Sequence, residues 1–180
     1  MSIEEKMSKL VKEVQDLKPK MKEEYFPKAE GIIKNIPIEC SLHELAIQNQ
    51  KKRNANPNKI HPIQVKRGQI YNALIGENIG SELCENHLVL ILQNDTGNMF
   101  ADTVNVLTIK GDGNNINETF HVKLTNNDMY YGKLDKDPSR INVTEILTID
   151  KARLDKRVGK IKNELFKEIN KKVKNQLGLK

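Results

Sequence analysis

Residues Val65 to Val106 read VKRGQIYNALIGENIGSELCENHLVLILQNDTGNMFADTVNV. Ile70-Tyr71-Asn72-Ala73-Leu74-Ile75 is a short apolar run, and Gly76 to Gly80 is a loop. Leu88-Val89-Leu90-Ile91-Leu92 has the composition of a fully buried strand. Asn94-Asp95-Thr96-Gly97-Asn98 is a cluster of turn formers. Val104 opens a third apolar run that continues to Ile109.

The strand-like period extends beyond this stretch. Gly111-Asp112-Gly113-Asn114-Asn115 is a turn, Thr119 to Leu124 alternates, and Ile146-Leu147-Thr148-Ile149 is a last short strand. Several short strands with turns at this spacing imply a small barrel or sandwich. Beyond residue 151 the spacing becomes helical: Leu154, Val158, Ile161, Leu165, Ile169 and Val173 recur three and four apart, opposite a lysine-rich face. Gly178 ends that run.

Upstream of Ile63 the period is also helical. Ile3, Met7, Leu10, Val14, Leu17 and Met21 form an a/d stripe, which predicts a helix over residues 3–26 with a break or kink at Pro19. Ser41-Leu42-His43-Glu44 has the form of a capping box, which predicts a second helix over 41–53. Asn54-Ala55-Asn56-Pro57-Asn58 then reads as a linker. The expected organisation is a helical extension over 1–60, followed by a mainly β domain over 61–180 with basic helices from about residue 151.

The net charge of +6 is unevenly spread. Residues 1–64 hold 12 Lys and Arg against 9 Asp and Glu; residues 65–150 hold 7 against 12; residues 151–180 hold 11 against 3. The basic surplus therefore sits in the last segment, where it suits either a polyanionic partner or a solvated helix face. Aromatic residues are 4% of the chain and tryptophan is absent, so base stacking can draw on few side chains. Cys40 and Cys84 show no CxxC spacing, no apolar run of 18 residues appears, and the start is charged from Glu4. A reducing, cytoplasmic setting with free thiols and no membrane partner is expected. His43, His61 and His121 have no metal-ligand spacing, so no metal and no cofactor are expected.

Residues 65–179 resemble the MazF/PemK toxins, endoribonucleases of type II toxin–antitoxin pairs. The resemblance rests on Lys66-Arg67-Gly68-Gln69-Ile70-Tyr71, Gly80-Ser81-Glu82, Gln93-Asn94-Asp95-x-Gly97-Asn98, Thr103-Val104, Leu134-Asp135-Lys136-Asp137 and Thr148-Ile149-Asp150-Lys151-x-Arg153-Leu154. It implies an SH3-like small barrel with a C-terminal helix, usually a homodimer. It implies metal-independent cleavage of single-stranded RNA at short sequences, and a cognate antitoxin that blocks the RNA-binding face.

Such cleavage uses the substrate's own 2′-hydroxyl. A base removes its proton, the oxygen attacks the adjacent phosphorus, and an acid protonates the leaving 5′-oxygen. The resemblance implies an arginine at the start of the second strand and a threonine at the start of the third, converging on one phosphate. The threonine position is filled by Thr103, and the arginine position by His87. Histidine titrates near neutrality and can act as base or acid, whereas arginine offers a permanent charge and a donor fork. Glu82 can receive the 2′-hydroxyl proton or orient His87. Ser81, Lys66, Arg67 and Asn94 are the candidate RNA-binding residues. Where the family often carries an acid, a glutamine and a second arginine, the chain has Thr144, Glu145 and Leu147. The other reading is a catalytically silent protein of this fold that binds an antitoxin, a toxin paralogue or nucleic acid. For residues 1–60 the readings are a dimerisation or docking element, a segment inhibiting in cis, or a membrane or ribosome contact.

Overall fold

The computed structural model describes residues 2–179. Their elements, in chain order, are α1 (Ile3–Asp16), α2 (Phe26–Ala55), β1 (Gln69–Gly76), β2 (Glu85–Ile91), α3 (Asp95–Phe100), β3 (Thr103–Lys110), β4 (His121–Leu124), β5 (Met129–Gly132), β6 (Ser139–Asp150), β7 (Leu154–Ile161) and α4 (Asn163–Gln176). The chain divides into two compact units, residues 1–37 and 38–180.

In the first unit, α1 starts at a capping box made by Ser2 and Glu5. The Glu5 N–H donates to the Ser2 hydroxyl, and the Ser2 N–H donates to the Glu5 carboxylate. The helix ends at Asp16, three residues before Pro19. Its apolar stripe is open to solvent: Ile3, Met7, Leu10, Val14 and Leu17 are all about half exposed or more.

The second helix departs from the sequence expectation. It begins at Phe26 rather than Ser41 and runs through Pro37. Pro27 occupies the first turn, where its missing N–H removes no helix bond. Ser41 and Glu44 lie in mid-helix, where Glu44 accepts from the Gln48 amide one turn on. A pattern that fits a cap does not start a helix where the preceding residues are already helical.

The second unit is built on one antiparallel sheet in the order β4-β6-β3-β2-β1-β7-β5. It curls, and its two faces carry two cores. Ile70, Leu90, Leu107 and Ile109 pack with Phe166, Ile169 and Val173 of α4. Tyr71, Ala73, Val89, Ile91, Val104 and Val106 belong to the other core. Strand alternation explains the division, because neighbours along a strand point to opposite faces.

Residues 154–161 are a strand and not the expected start of a helix. Leu154, Val158 and Ile161 satisfy helical spacing, but the segment pairs with both β1 and β5. Gly159, a poor helix former, is needed at the β5 crossing: a Cβ there would collide with the Tyr131 carbonyl. Helix α4 is held by Arg67, whose guanidinium lies 4.7 Å from the Phe166 ring centroid and donates to Asn170 at 2.8 Å.

Strand β6 contains the feature that shapes the site. Leu107 pairs with Ile146, but the next residue, Thr108, pairs with Asn142. Residues 143–145 are therefore extruded as a bulge. The bulge carries Glu145 towards the end of β3.

Candidate active site

The register of β2 on β3 decides which sequence-predicted residues meet. Leu88 pairs with Ile109, and Ile91 with Val106. One step beyond Leu88–Ile109, His87 stands level with Lys110. By alternation, His87, Val89 and Ile91 share a face with Val104, Val106, Thr108 and Lys110.

Thr103 lies seven residues from Lys110 along β3, about 23 Å at strand rise. It pairs with Asp150 at the opposite end of the strand. Alternation also turns it to the opposite face. The structure thus does not bring Thr103 and His87 to one phosphate. The strands are antiparallel, so the start of one lies beside the end of the other.

What the fold brings to His87 is Lys110 and Glu145. The Lys110 ammonium sits 2.9 Å from the Glu145 carboxylate, and the Thr108 hydroxyl donates to the same carboxylate at 2.5 Å. Burial would raise the Glu145 pKa, but the donors Thr108 and Lys110 outweigh it and hold the carboxyl below its ordinary range. Burial, and then the Lys110 ammonium, hold the His87 imidazole below its ordinary 6.5; Glu85 and Glu145 oppose this. A hydrogen bond to the Cys84 carbonyl engages one side of the ring. When uncharged, the imidazole keeps one ring nitrogen as a proton acceptor.

Two clefts adjoin these residues. His87 and Lys110 line one of about 470 Å³, together with Asn72, Asn86 and Asp112. Ser81, Glu82 and Glu145 line a groove of about 490 Å³ between the β1–β2 loop and β6, with Arg153 on its wall. The Lys110–Glu145 pair joins the two. Glu82 accepts from the Ile79 N–H at 3.1 Å within its own loop.

The remaining candidates hold structural positions. The Asn94 side chain caps α3, accepting from the Gly97 N–H at 2.7 Å. The Arg67 guanidinium is committed to α4. Lys66 is exposed, and its N–H donates to Gln69. Among the described residues there is no group of three or more His, Cys, Asp or Glu side chains that could hold a metal ion.

Sequence reading missed Lys110 as a partner of His87. The signal was available in the hairpin arithmetic. The β2–β3 connection turns about Asn98-Met99, and the residue as far beyond that point as His87 is before it is Lys110.

Glu85, two residues before His87, has φ +64° and pairs with Gly76. Left-handed backbone costs a side-chain-bearing residue about 1–2 kcal/mol. Glu85→Gly is expected to raise stability to denaturant by about 1 kcal/mol, since glycine adopts this conformation freely. It also removes a carboxylate that raises the His87 pKa, so the histidine titration followed by NMR shifts to lower pH. An unmoved titration with unchanged stability would show that Glu85 does neither.

The model of the PemK-like, MazF-like toxins of type II toxin–antitoxin systems matches residues 66–177. The chain belongs to the PemK/MazF toxin family. A curated relative, Endoribonuclease MazF of Staphylococcus saprophyticus, is 36% identical over 115 residues, covering 64% of this chain and 92% of that protein. Among solved structures, MazF of Deinococcus radiodurans superposes with a TM-score of 0.53 at 14% identity, covering 65% of this chain and 99% of its own. An endoribonuclease from a mycobacterial species gives 0.52 at 19% identity, covering 65% and 94%. These likenesses bear out the SH3-like barrel of the PemK/MazF fold, with the helical extension preceding the matched region.

Proposed function

We propose that this PemK/MazF toxin is an endoribonuclease that cuts single-stranded RNA at short sequences without a metal. The observation that carries the mechanism is the position of His87, held below its ordinary pKa and level with Lys110 at the mouth of one cleft. At neutral pH the imidazole is mostly uncharged. It accepts the proton of the substrate 2′-hydroxyl, whose oxygen attacks phosphorus. The P–O5′ bond breaks, leaving a 2′,3′-cyclic phosphate and a 5′-hydroxyl.

Lys110 supplies the cation beside the phosphoryl oxygens and a proton for the leaving 5′-oxygen. Glu145 holds that ammonium in place, a role made possible by the β6 bulge. Ser81 and Glu82 border the groove through which the strand would continue. The pair replaces a fixed arginine by two separate groups, one titratable and one cationic.

Family membership supports a cognate antitoxin as partner and a homodimer as the working form. Cys40 and Cys84 are free thiols, which fits action in the cytoplasm. No helix among the described residues is long and apolar enough to cross a membrane.

The test is cleavage of a mixed pool of single-stranded RNA in EDTA. Wild type is expected to release fragments ending in a cyclic phosphate, at a rate that rises with pH through a midpoint below 6.5 and levels off near neutrality. A pool left intact by wild type, with tight capture of an antitoxin, would instead establish the silent binding protein.

A further inference from the structure

We propose that the β5–β7 edge of the sheet is a second RNA-binding subsite, at which Tyr130 stacks on a base and Arg157, Lys160 and Lys162 hold the flanking phosphates. This rests on the RNA-cleaving reading above and extends it to a surface away from His87.

The chain has only eight aromatic residues, four Tyr and four Phe. Two of them are adjacent on β5, a four-residue edge strand that pairs only with β7. Tyr130 is 73% exposed and Tyr131 39%. Their rings meet edge to face, with centroids 6.0 Å apart.

Tyr131 is fixed in place. Its hydroxyl accepts from the Gln69 amide at 3.1 Å, and Gln69 in turn accepts from Tyr71. The Arg157 guanidinium lies 5.8 Å from the Tyr131 ring centroid and hydrogen-bonds Tyr71. Tyr130 is therefore an exposed ring braced by a held one, which lowers the entropy lost on stacking. Beside it, Tyr130, Lys160 and Lys162 border a cleft of about 450 Å³, with Glu164 as its one acidic wall.

Charge favours a polyanion here more than at the groove. The groove carries Glu82 and Glu145, and Glu39 covers its Arg153. Residues 154–162 carry four Lys and Arg against one Asp. Exposed rings interleaved with cations bind single-stranded nucleic acid without reading its sequence, because every base has a stacking face.

Tyr131, which braces Tyr130, lies on the face of the sheet that carries His87. Gln69, Tyr71 and Ala73 alternate onto one face of β1, and Ala73 pairs with His87. Three strand spacings and four residues separate Tyr131 from His87, about 20 Å in all, a span of several nucleotides.

The experiment measures binding of a fluorescein-labelled single-stranded oligonucleotide of mixed sequence to the full-length protein. Its 2′-O-methyl groups prevent cleavage. Tyr130→Ala is expected to weaken binding about tenfold or more, and Tyr130→Phe to restore it, because stacking needs the ring and not the hydroxyl. Lys160→Gln is expected to reduce the slope of log affinity against log salt by about 0.7, one phosphate contact on a single strand. Binding by wild type and Tyr130→Ala alike would overturn the subsite and leave the proposed reaction standing. No binding by wild type would overturn both. Equal displacement by oligoglutamate would overturn the assignment to nucleic acid.

Discussion

His87→Ala is expected to lower RNA cleavage by about a hundredfold to ten-thousandfold, the usual range for loss of a positioned general base. Lys110→Gln should lower it by about a hundredfold to a thousandfold, since it removes the charge beside the phosphoryl oxygens. Thr103→Ala should leave the rate near wild type. The contrast follows from the antiparallel register, which sets Lys110 beside His87 and carries Thr103 to the far end and other face of β3.

The pH profile separates chemistry from simple structural loss. Lys110 lowers the His87 pKa, so Lys110→Gln should shift the midpoint of the remaining activity to higher pH. Glu145 raises it, so Glu145→Gln should shift the midpoint downward. Rates would be measured in EDTA across the acid range, with the fold checked by circular dichroism. A Thr103→Ala protein as inactive as His87→Ala would refute this arrangement.

The second large effect concerns Lys151, which is fully buried. Its ammonium donates to the Asn98 carbonyl at 2.6 Å, and its backbone N–H to the Asp102 carbonyl at 3.0 Å. Burial, opposed by Asp102 and Asp150, lowers its pKa to about 8. Lys151→Ala is expected to cost about 2–3 kcal/mol, because the cavity and the unpaired Asn98 carbonyl outweigh the relief of a buried charge. Lys151→Met keeps the volume and should be near neutral at pH 7, because the unpaired Asn98 carbonyl, about 1–3 kcal/mol, is offset by no longer burying a charge.

Below pH 8, Lys151 is protonated in both folded and unfolded chains, and the burial of its charge weighs against folding by about 3 kcal/mol. Between about 8 and 10.5 the unfolded chain keeps the proton that the folded chain has lost, so this contribution to stability rises with pH. Denaturant midpoints of wild type and Lys151→Met, compared at pH 7 and 9.5, should diverge in favour of wild type at the higher pH. A constant difference would remove the titration from the account.

Strands β1 to β3 were legible because each buries a dense apolar run between turn formers. Strand β5 was not, since Met129-Tyr130-Tyr131-Gly132 is too short to show a period. Strand β7 imitated a helix: three apolar residues fit both spacings, and only pairing with β1 and β5 decides between them. In β6 the bulge hides the strand's first half, because Asn142, Thr144 and Glu145 interrupt the alternation. At the site, His87 could be located from its motif frame alone. Its neighbours could not, because Lys110 and Glu145 reach it through register and a bulge, which are properties of paired strands and not of one segment.

The part of α2 that belongs to the second unit presents Glu39, Leu42, Ala46, Asn49 and Arg53 as its least exposed positions. It is pinned at both ends by ion pairs: Glu39 to Arg153 at 2.7 Å, and Arg53 to Asp102 at 2.7 Å. Arg153 also donates to the Leu74 and Ile75 carbonyls. A helix fastened by charge and little apolar area loses its hold as ionic strength rises and screening tightens from about 8 Å to about 3 Å. Its amides should therefore exchange with solvent in high salt while those of β1 to β3 remain protected. Salt then works on this protein twice, freeing the Arg153 fork from Glu39 while weakening whatever phosphate would take its place.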